Sequence, residues 1–392
     1  MKTLPDNPDL GHLRRQAKDL LAGLRELRPG ATLADAQASL ADQYGFRTWT
    51  ELKAEVDRRQ GQAEVAAPEL ARRITARFGL GEPAGEMRSL SRPDEVGRRW
   101  LLPTTRGRFT ARTVDDVYPV TDGTANARFQ EAAARAGVLL PAPVRSTDGA
   151  VVERIDGSSW RVYEWLRTGP PLVAPVSAPI TRAVGAVLAT VHGLAIPAGS
   201  LCPWTSTRLA GRSWPEVADL ATAKGAPWAP VLVAALPTLL ELEALSAAPI
   251  PAGAPVLCHN NLTPGNVRAG AAGRLVVTGW EHAAGLPPVW ELCSALVNWT
   301  ATPSGVRALL DGYQERAGAV PALSLDSFRG TATALQNYVA GQIDLALEAG
   351  PGDLAFAERN VRHLLTHLPS RAGYERILEW SAIKKRATPA RN

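Results

Sequence analysis

Residues 255–291 constrain the fold of this chain more than any other stretch. A short apolar run, Val256–Cys258, leads into a polar loop at residues 259–266, and a second apolar run, Leu275–Val277, leads into residues 278–281. Short apolar runs bounded by turn residues predict β-strands. We therefore expect two strands whose polar loops lie side by side at the mouth of one cleft.

The two loops resemble the catalytic and metal loops of the aminoglycoside phosphotransferase and choline kinase branch of the kinase fold. In that family the first loop has the pattern His-Gly-Asp-Leu-His-x-x-Asn and the second has Ile-Asp-Trp-Glu. This chain matches them at His259, Leu262, Asn266, Trp280 and Glu281. The resemblance implies an α+β, bilobal protein-kinase-like fold, with a small β-rich lobe and a large, mostly helical lobe, over residues 69 to about 370.

The two aspartates of that family pattern are replaced. In kinases the catalytic-loop aspartate accepts the substrate hydroxyl proton, and the metal-loop aspartate holds Mg²⁺. The corresponding residues here are Asn261 and Gly279, and no aspartate occurs between Asp219 and Asp311. An amide does not take up a proton near neutral pH, and glycine offers no ligand atom. His259 and Asn261 are therefore candidate catalytic-loop residues in a degenerate form.

Composition sets broad limits. A chain of 392 residues with 45% hydrophobic residues is long enough for two or three domains. We expect a cytoplasmic protein without a membrane segment, because no apolar run approaches the roughly 20 residues of a membrane span and the N-terminus lacks a signal-peptide core. The three cysteines are odd in number and widely spaced, which favours reduced thiols. The net charge of +5 is mild and is typical of an ordinary solvated surface, although it could also favour an anionic ligand.

Residues 1–60 predict a module of three helices. Asn7 precedes a proline at the first helical position, and Thr32 and Thr48 begin capping-box-like sequences. We expect this module to pack on the body or to dock a protein partner. The alternative is a helix-turn-helix DNA reader, since basic residues lie on or beside the third helix: Arg47, Lys53, Arg58 and Arg59. A polar, alanine-rich linker is predicted at residues 61–68.

Residues 69–166 are predicted to form the small lobe. The resemblance places Arg112 where the family has its phosphate-pairing lysine and Glu131 where it has the glutamate that pairs that lysine. No lysine occurs between Lys53 and Lys224, so this lobe cannot supply one. An arginine can still bind phosphate bidentately. A glycine-rich phosphate loop is not evident in this part of the sequence.

Residues 167–372 are predicted to form the large lobe and residues 373–392 a basic tail. His192, at the end of the predicted first large-lobe helix, is expected to be a structural hydrogen-bonding group. Residues 196–230 are rich in proline, glycine and tryptophan and predict an irregular insertion. Because the family builds substrate specificity in this region, we expect Trp204, Trp214 and Trp228 to line the substrate pocket.

These observations predict a kinase-fold pseudoenzyme that binds a small molecule, peptide or partner protein in its cleft, as an accessory factor in a bacterial biosynthetic or resistance pathway. One alternative is an unconventional phosphotransferase acting on a hydroxyl group, with Asn266, Glu281 and Asn261 as oxygen ligands for Mg²⁺. ATP and Mg²⁺ are expected cofactors only in that case. Two further hypotheses are a cleft that performs a different reaction and a nucleic-acid-binding regulator.

Overall fold

The computed structural model describes residues 4, 8–46, 48–60, 64–90, 97–114, 122–166, 168–270, 274–348 and 354–382. Within these residues the helices are α1 (Leu10–Leu27), α2 (Leu33–Gln43), α3 (Trp49–Gln60), α4 (Pro68–Arg77), α5 (Gly123–Arg135), α6 (Ala178–His192), α7 (Pro203–Ser206), α8 (Trp214–Ala223), α9 (Ala229–Ser246), α10 (Pro288–Trp299), α11 (Pro303–Ala317), α12 (Arg329–Glu348), α13 (Leu354–Thr366) and α14 (Arg371–Ala382). The strands are β1 (Arg88–Ser89), β2 (Arg99–Thr104), β3 (Gly107–Thr113), β4 (Pro143–Val144), β5 (Glu153–Ile155), β6 (Ser158–Glu164), β7 (Val256–Cys258), β8 (Val267–Ala269), β9 (Leu275–Val277) and β10 (Ala284–Leu286). The small sheet lobe and the helical large lobe confirm the predicted bilobal fold.

Helices α1 to α3 form the predicted N-terminal module around a core that includes Leu20, Leu40 and Leu52. This core also contains Val173, which belongs to the chain that joins the two lobes. Two of the four basic residues behind the DNA-reader alternative are not described: Arg47 and the side chain of Arg58. The module packs on the segment that connects the lobes through Val173. The predicted linker contains residues 61–63, which lie outside the described residues, and it ends where α4 begins.

The small lobe is built on an antiparallel sheet with the order β1-β2-β3-β6-β4, in which β5 also pairs with β6. Side chains alternate between the two faces of a strand. One face packs in an apolar core that includes Trp100, Ala111 and Val162. The opposite face carries Arg99, Arg112 and Arg161, and it points towards α5 and the large lobe. The sheet thus separates an apolar core from a polar, cleft-facing surface.

Helix packing dominates the large lobe, where α6 and α11 approach each other unusually closely. A Cβ atom on Gly185 would lie 1.9 Å from the Leu309 carbonyl oxygen, and one on Gly312 would lie 2.0 Å from the Arg182 carbonyl oxygen. Both positions therefore require glycine. This pair of helices supports α10, which carries Glu291 beneath the polar loops.

Two predictions about regular structure are wrong. The stretch at residues 196–230 is not irregular throughout, because α8 lies within it and begins with a capping box between Ser213 and Glu216. The first ten residues of the predicted basic tail, residues 373–382, belong to helix α14. This helix packs on the large lobe, because Tyr374 is fully buried and its ring stacks on Phe328 with a centroid distance of 4.7 Å. The sequence run at residues 383–386 lies outside the described residues.

Helix α9 is, among the described residues, the single helix long and apolar enough to cross a membrane by length and composition. A helix was predicted from the sequence at about residues 231–245, but not as an apolar run close to the length of a membrane span. Its Leu232, Leu239 and Leu242 are buried in the helical core of the large lobe.

Candidate functional site

His259 connects the two polar loops. It follows β7 and is 1% exposed, and its Nε2–H donates to the Thr278 carbonyl oxygen at 2.9 Å, while its Nδ1 accepts from the Asn261 backbone N–H at 3.3 Å. Burial lowers the pKa of His259 below its usual range, which favours the neutral ring that this pattern of bonds requires. Both ring nitrogens are occupied, so His259 positions the loops.

Glu291 holds the first polar loop from below. Its carboxylate accepts the backbone N–H groups of His259 at 3.2 Å and Asn260 at 2.5 Å, and it contacts His192 Nε2 at 3.0 Å. His192 Nδ1 also contacts the Tyr313 hydroxyl at 3.0 Å. His192 is therefore a structural hydrogen-bonding group, as predicted. Asn260 has a positive φ of 62°, and this anchored carboxylate stabilises that uncommon backbone conformation.

Gly279 and Asn266, where the resemblance predicts the family's metal site, pack against each other. Gly279 has φ +83°, and a Cβ atom there would lie 2.7 Å from Asn266 Cγ. The Asn266 amide Nδ2 donates to the Asn261 carbonyl oxygen at 2.9 Å. The Asn266 side chain thus fills the space into which a residue at position 279 would project. Among the described residues no hydrogen bond of the Asn261 side chain is found.

Arg112 and Glu281 form a buried ion pair between the lobes. Arg112 Nη1 lies 2.5 Å from Glu281 Oε1, and the side chains are 13% and 8% exposed. Burial raises the pKa of Glu281, but the charges of Arg112, His282 and Arg99 outweigh it and lower the pKa to about 2. Glu281 is therefore ionised at neutral pH and compensates the charge of Arg112.

The predicted partnership of Arg112 with Glu131 is wrong. Glu131 is 32% exposed and pairs with Arg145 Nη2 at 2.7 Å. The residues of α5 that point inwards include Asn126, Phe129 and Gln130, at helical spacing. Because successive helical residues differ by about 100° around the axis, Glu131 points away from the cleft.

The residues present do not fit a magnesium ion bound to nucleotide phosphates. Mg²⁺ requires oxygen ligands in near-octahedral geometry. Gly279 supplies none, the Glu281 carboxylate is paired with Arg112, and Asn266, which donates through Nδ2, offers only a neutral amide oxygen. Among the described residues the two loops therefore offer no carboxylate that is free of a cationic partner to hold the ion.

A polar network that was not predicted from the sequence links the sheet to the second loop. Arg161 Nη1 donates to Asn126 Oδ1 at 2.7 Å, and Asn126 Nδ2 donates to the Trp280 carbonyl oxygen at 2.6 Å. Gln130 Nε2 also donates to Asn126 Oδ1. Strand alternation offered a sign, because Arg161 lies between Trp160 and Val162 and must point to the opposite face from them.

The tryptophan prediction is corrected for two residues. Trp214 and Trp228 are 0% and 1% exposed and lie in a core cluster formed with α9, α12 and α13. Burial of these large apolar side chains stabilises the core and leaves no surface for contact with a ligand. Trp204 is partly buried and packs on a small cluster that contains Cys258, the last residue of β7. Trp204 therefore lies near the catalytic loop, and its role in a substrate pocket stays a prediction.

Comparison with known proteins agrees with the bilobal fold. The profile of the phosphotransferase enzyme family matches residues 93–326, which is more than half of the chain. A spectinomycin phosphotransferase structure with ADP and spectinomycin superposes with a TM-score of 0.55 at 12% identity, covering 81% of this chain and 98% of that one. An aminoglycoside phosphotransferase from Alicyclobacillus acidocaldarius gives a TM-score of 0.50 at 13% identity, with coverage of 82% and 98%. No curated protein matches by sequence. This chain belongs to the phosphotransferase enzyme family.

Proposed function

We propose that this protein is a pseudoenzyme of the phosphotransferase family that binds a ligand in its interlobe cleft without transferring a phosphoryl group. The observation that carries the proposal is the pair Gly279 and Asn266. The glycine adopts a left-handed conformation, and the Asn266 side chain lies within 2.9 Å of where a Cβ would stand. The loop therefore has no space for a side chain at position 279.

The chemistry of the remaining residues supports the same proposal. Phosphoryl transfer depends on positioning and on neutralising charge at the transferring group. Asn261 replaces the base with an amide, and the Glu281 carboxylate is engaged within the protein by Arg112 Nη1. These replacements favour a cleft that has been rebuilt for another ligand.

The ligand is a small molecule, peptide or partner protein, and the role is that of an accessory factor. The bilobal fold, with His259, Asn126 and Arg112 all bridging between loops or lobes, supports a cleft held in one geometry. A preorganised cleft binds its ligand with less loss of conformational entropy.

The decisive test measures nucleotide binding and phosphoryl transfer on the full chain. We expect calorimetry with ATP and Mg²⁺ or Mn²⁺ to show no metal-dependent binding, and γ-labelled ATP to transfer no label to hydroxyl-bearing acceptors, including spectinomycin. Spectinomycin is included because it is bound in the structure of a relative. Transfer of label above the no-protein control, removed by Asn266→Ala, would establish the unconventional phosphotransferase instead.

A further inference from the structure

Arg161 is a buried cation without a carboxylate partner among the described residues. It is 3% exposed, and its Nε and Nη2 atoms have no hydrogen-bond partner. Its remaining contacts are to Asn126 Oδ1 at 2.7 Å and to the ring of Tyr163, 5.2 Å from the guanidinium carbon. A buried guanidinium is normally paired and hydrogen-bonded. The unpaired donors of Arg161 therefore indicate a missing acceptor.

Arg161 belongs to a row of three arginines across the sheet. Arg112 is paired directly with Arg99 on β2 and with Arg161 on β6, so the three residues lie side by side on the face towards α5 and the large lobe. Side chains directly opposite on neighbouring antiparallel strands have Cβ atoms about 5 Å apart. We call these three residues the arginine row.

Arg112 and Arg161 together carry more positive charge than the described carboxylate beside them, Glu281, compensates. Among the described residues Glu281 is the carboxylate that pairs with Arg112, and it contacts one nitrogen, leaving the buried Arg112 Nε without a partner. Like charges this close are stable only with compensating anions.

Exposure decreases along the row from β2 to β6. Arg99 is partly exposed, the Arg112 side chain is 13% exposed and Arg161 is 3% exposed. A guanidinium binds phosphate and carboxylate groups through two parallel N–H donors, which matches a pair of unpaired donors on one edge. Nε and Nη2 form such an edge on Arg161.

We propose that the arginine row is an oxyanion site, and that the natural ligand of the cleft presents a phosphate or carboxylate group to Arg161 and Arg112. This inference rests on the proposed function, because it specifies the chemical class of the ligand in a cleft that does not transfer phosphoryl groups. The site needs no metal ion: the protein itself supplies the positive charge.

The test titrates wild-type protein with simple oxyanions in EDTA. Phosphate and pyrophosphate form one arm, succinate and citrate form the other, and chloride at matched ionic strength is the control. We expect saturable binding and a rise in Tm with at least one class, and the stronger arm identifies the group. Absence of saturable binding in both arms overturns the inference.

Variants locate the site. Arg161→Met should weaken the binding at least tenfold, and Arg161→Lys, which keeps the charge and loses the fork, should weaken it less. Arg154→Met is the matched control, because Arg154 is an exposed arginine on the neighbouring strand β5, and its affinity should stay within twofold. Unchanged affinity in Arg161→Met would show that Arg161 serves only to hold Asn126.

The two proposals fail separately. If oxyanions bind in EDTA and Arg161→Met removes this binding, the result supports the arginine row, whether or not ATP binds. Metal-dependent phosphoryl transfer from ATP contradicts the pseudoenzyme proposal, and a lack of anion binding contradicts the arginine row alone.

Discussion

Replacing Gly279 with aspartate restores the carboxylate that kinases use, yet we expect it to destabilise this protein without creating nucleotide binding. Gly279 has φ +83°, where a side chain costs about 1–2 kcal/mol. The added Cβ would lie 2.7 Å from Asn266 Cγ, and overpacking of this kind costs about 1–3 kcal/mol. Gly279→Asp should therefore lower the free energy of unfolding by about 2–5 kcal/mol.

A double-mutant cycle separates these two costs. Gly279→Ala introduces both the backbone strain and the contact with Asn266, whereas Asn266→Ala removes the side chain that would be struck. The double variant keeps the strain alone, so the two substitutions should be coupled by about 1–3 kcal/mol. Urea unfolding followed by circular dichroism measures each value. Gly30→Ala is the control, since nothing lies within 4 Å of its Cβ position, and it should change stability by less than about 0.5 kcal/mol.

The outcome that refutes this reasoning is specific. A Gly279→Asp protein that unfolds at the wild-type urea concentration would show that the loop accommodates a side chain. The triple variant with Asn261→Asp and Arg112→Lys extends the test. If it gains tight, metal-dependent ATP binding without loss of stability, the cleft is a kinase site altered by simple substitution, and it was not rebuilt for another ligand.

Three further predictions concern the ion pair and the N-terminal module. Arg112→Met leaves Glu281 buried without its guanidinium partner and should cost about 3–5 kcal/mol in urea unfolding, partly recovered by adding Glu281→Leu; equal stability of both variants would contradict this. Because the folded-state pKa of Glu281 is lowered from 4.5 to about 2, its contribution is fully present above pH 4.5 and is lost as pH falls towards 2; Glu281→Gln should flatten that part of the stability profile. Gly23→Ala would place a Cβ atom 2.1 Å from the Pro175 carbonyl oxygen and should loosen the module, measured as faster proteolysis than in Gly30→Ala; equal rates would indicate that the module does not depend on this contact.

The local pattern of the sequence was sufficient to predict where the two polar loops lie in the chain and that they are adjacent. The apolar runs that became β7 and β9 and the motif residues His259 and Trp280 predicted adjacent loops, and the hydrogen bond from His259 to the Thr278 carbonyl oxygen joins them. Hydrophobic alternation and turn residues act over a few positions, so they can be recognised without the fold. The same reasoning explains why helices α1 to α3 were predicted from apolar spacing and caps. The predicted cap of α1 was wrong, because Asp9 is its N-cap and the helix begins at Leu10.

The local sequence pattern could not predict which groups the charged side chains contact. Glu131 and Gln130 are neighbours in sequence, and a difference of one position on α5 decides which of them faces the cleft. The two tryptophans at positions 214 and 228 are placed in the core by α12 and α13, more than 100 residues later in the chain. A tryptophan in a proline-rich stretch suits a pocket wall and a core equally well, and packing decides between them.

The sequence by itself determined the family, the two strands with their polar loops, and the absence of aspartate at positions 261 and 279, because these depend on residue type and short spacing. Only the tertiary structure decided that Asn266 fills the space beside Gly279, that Glu281 compensates Arg112, and that Arg161 is left with unpaired donors. Electrostatic and steric relations of this kind depend on distances of a few ångströms between residues far apart in the chain, and those distances are set by the packing of the two lobes.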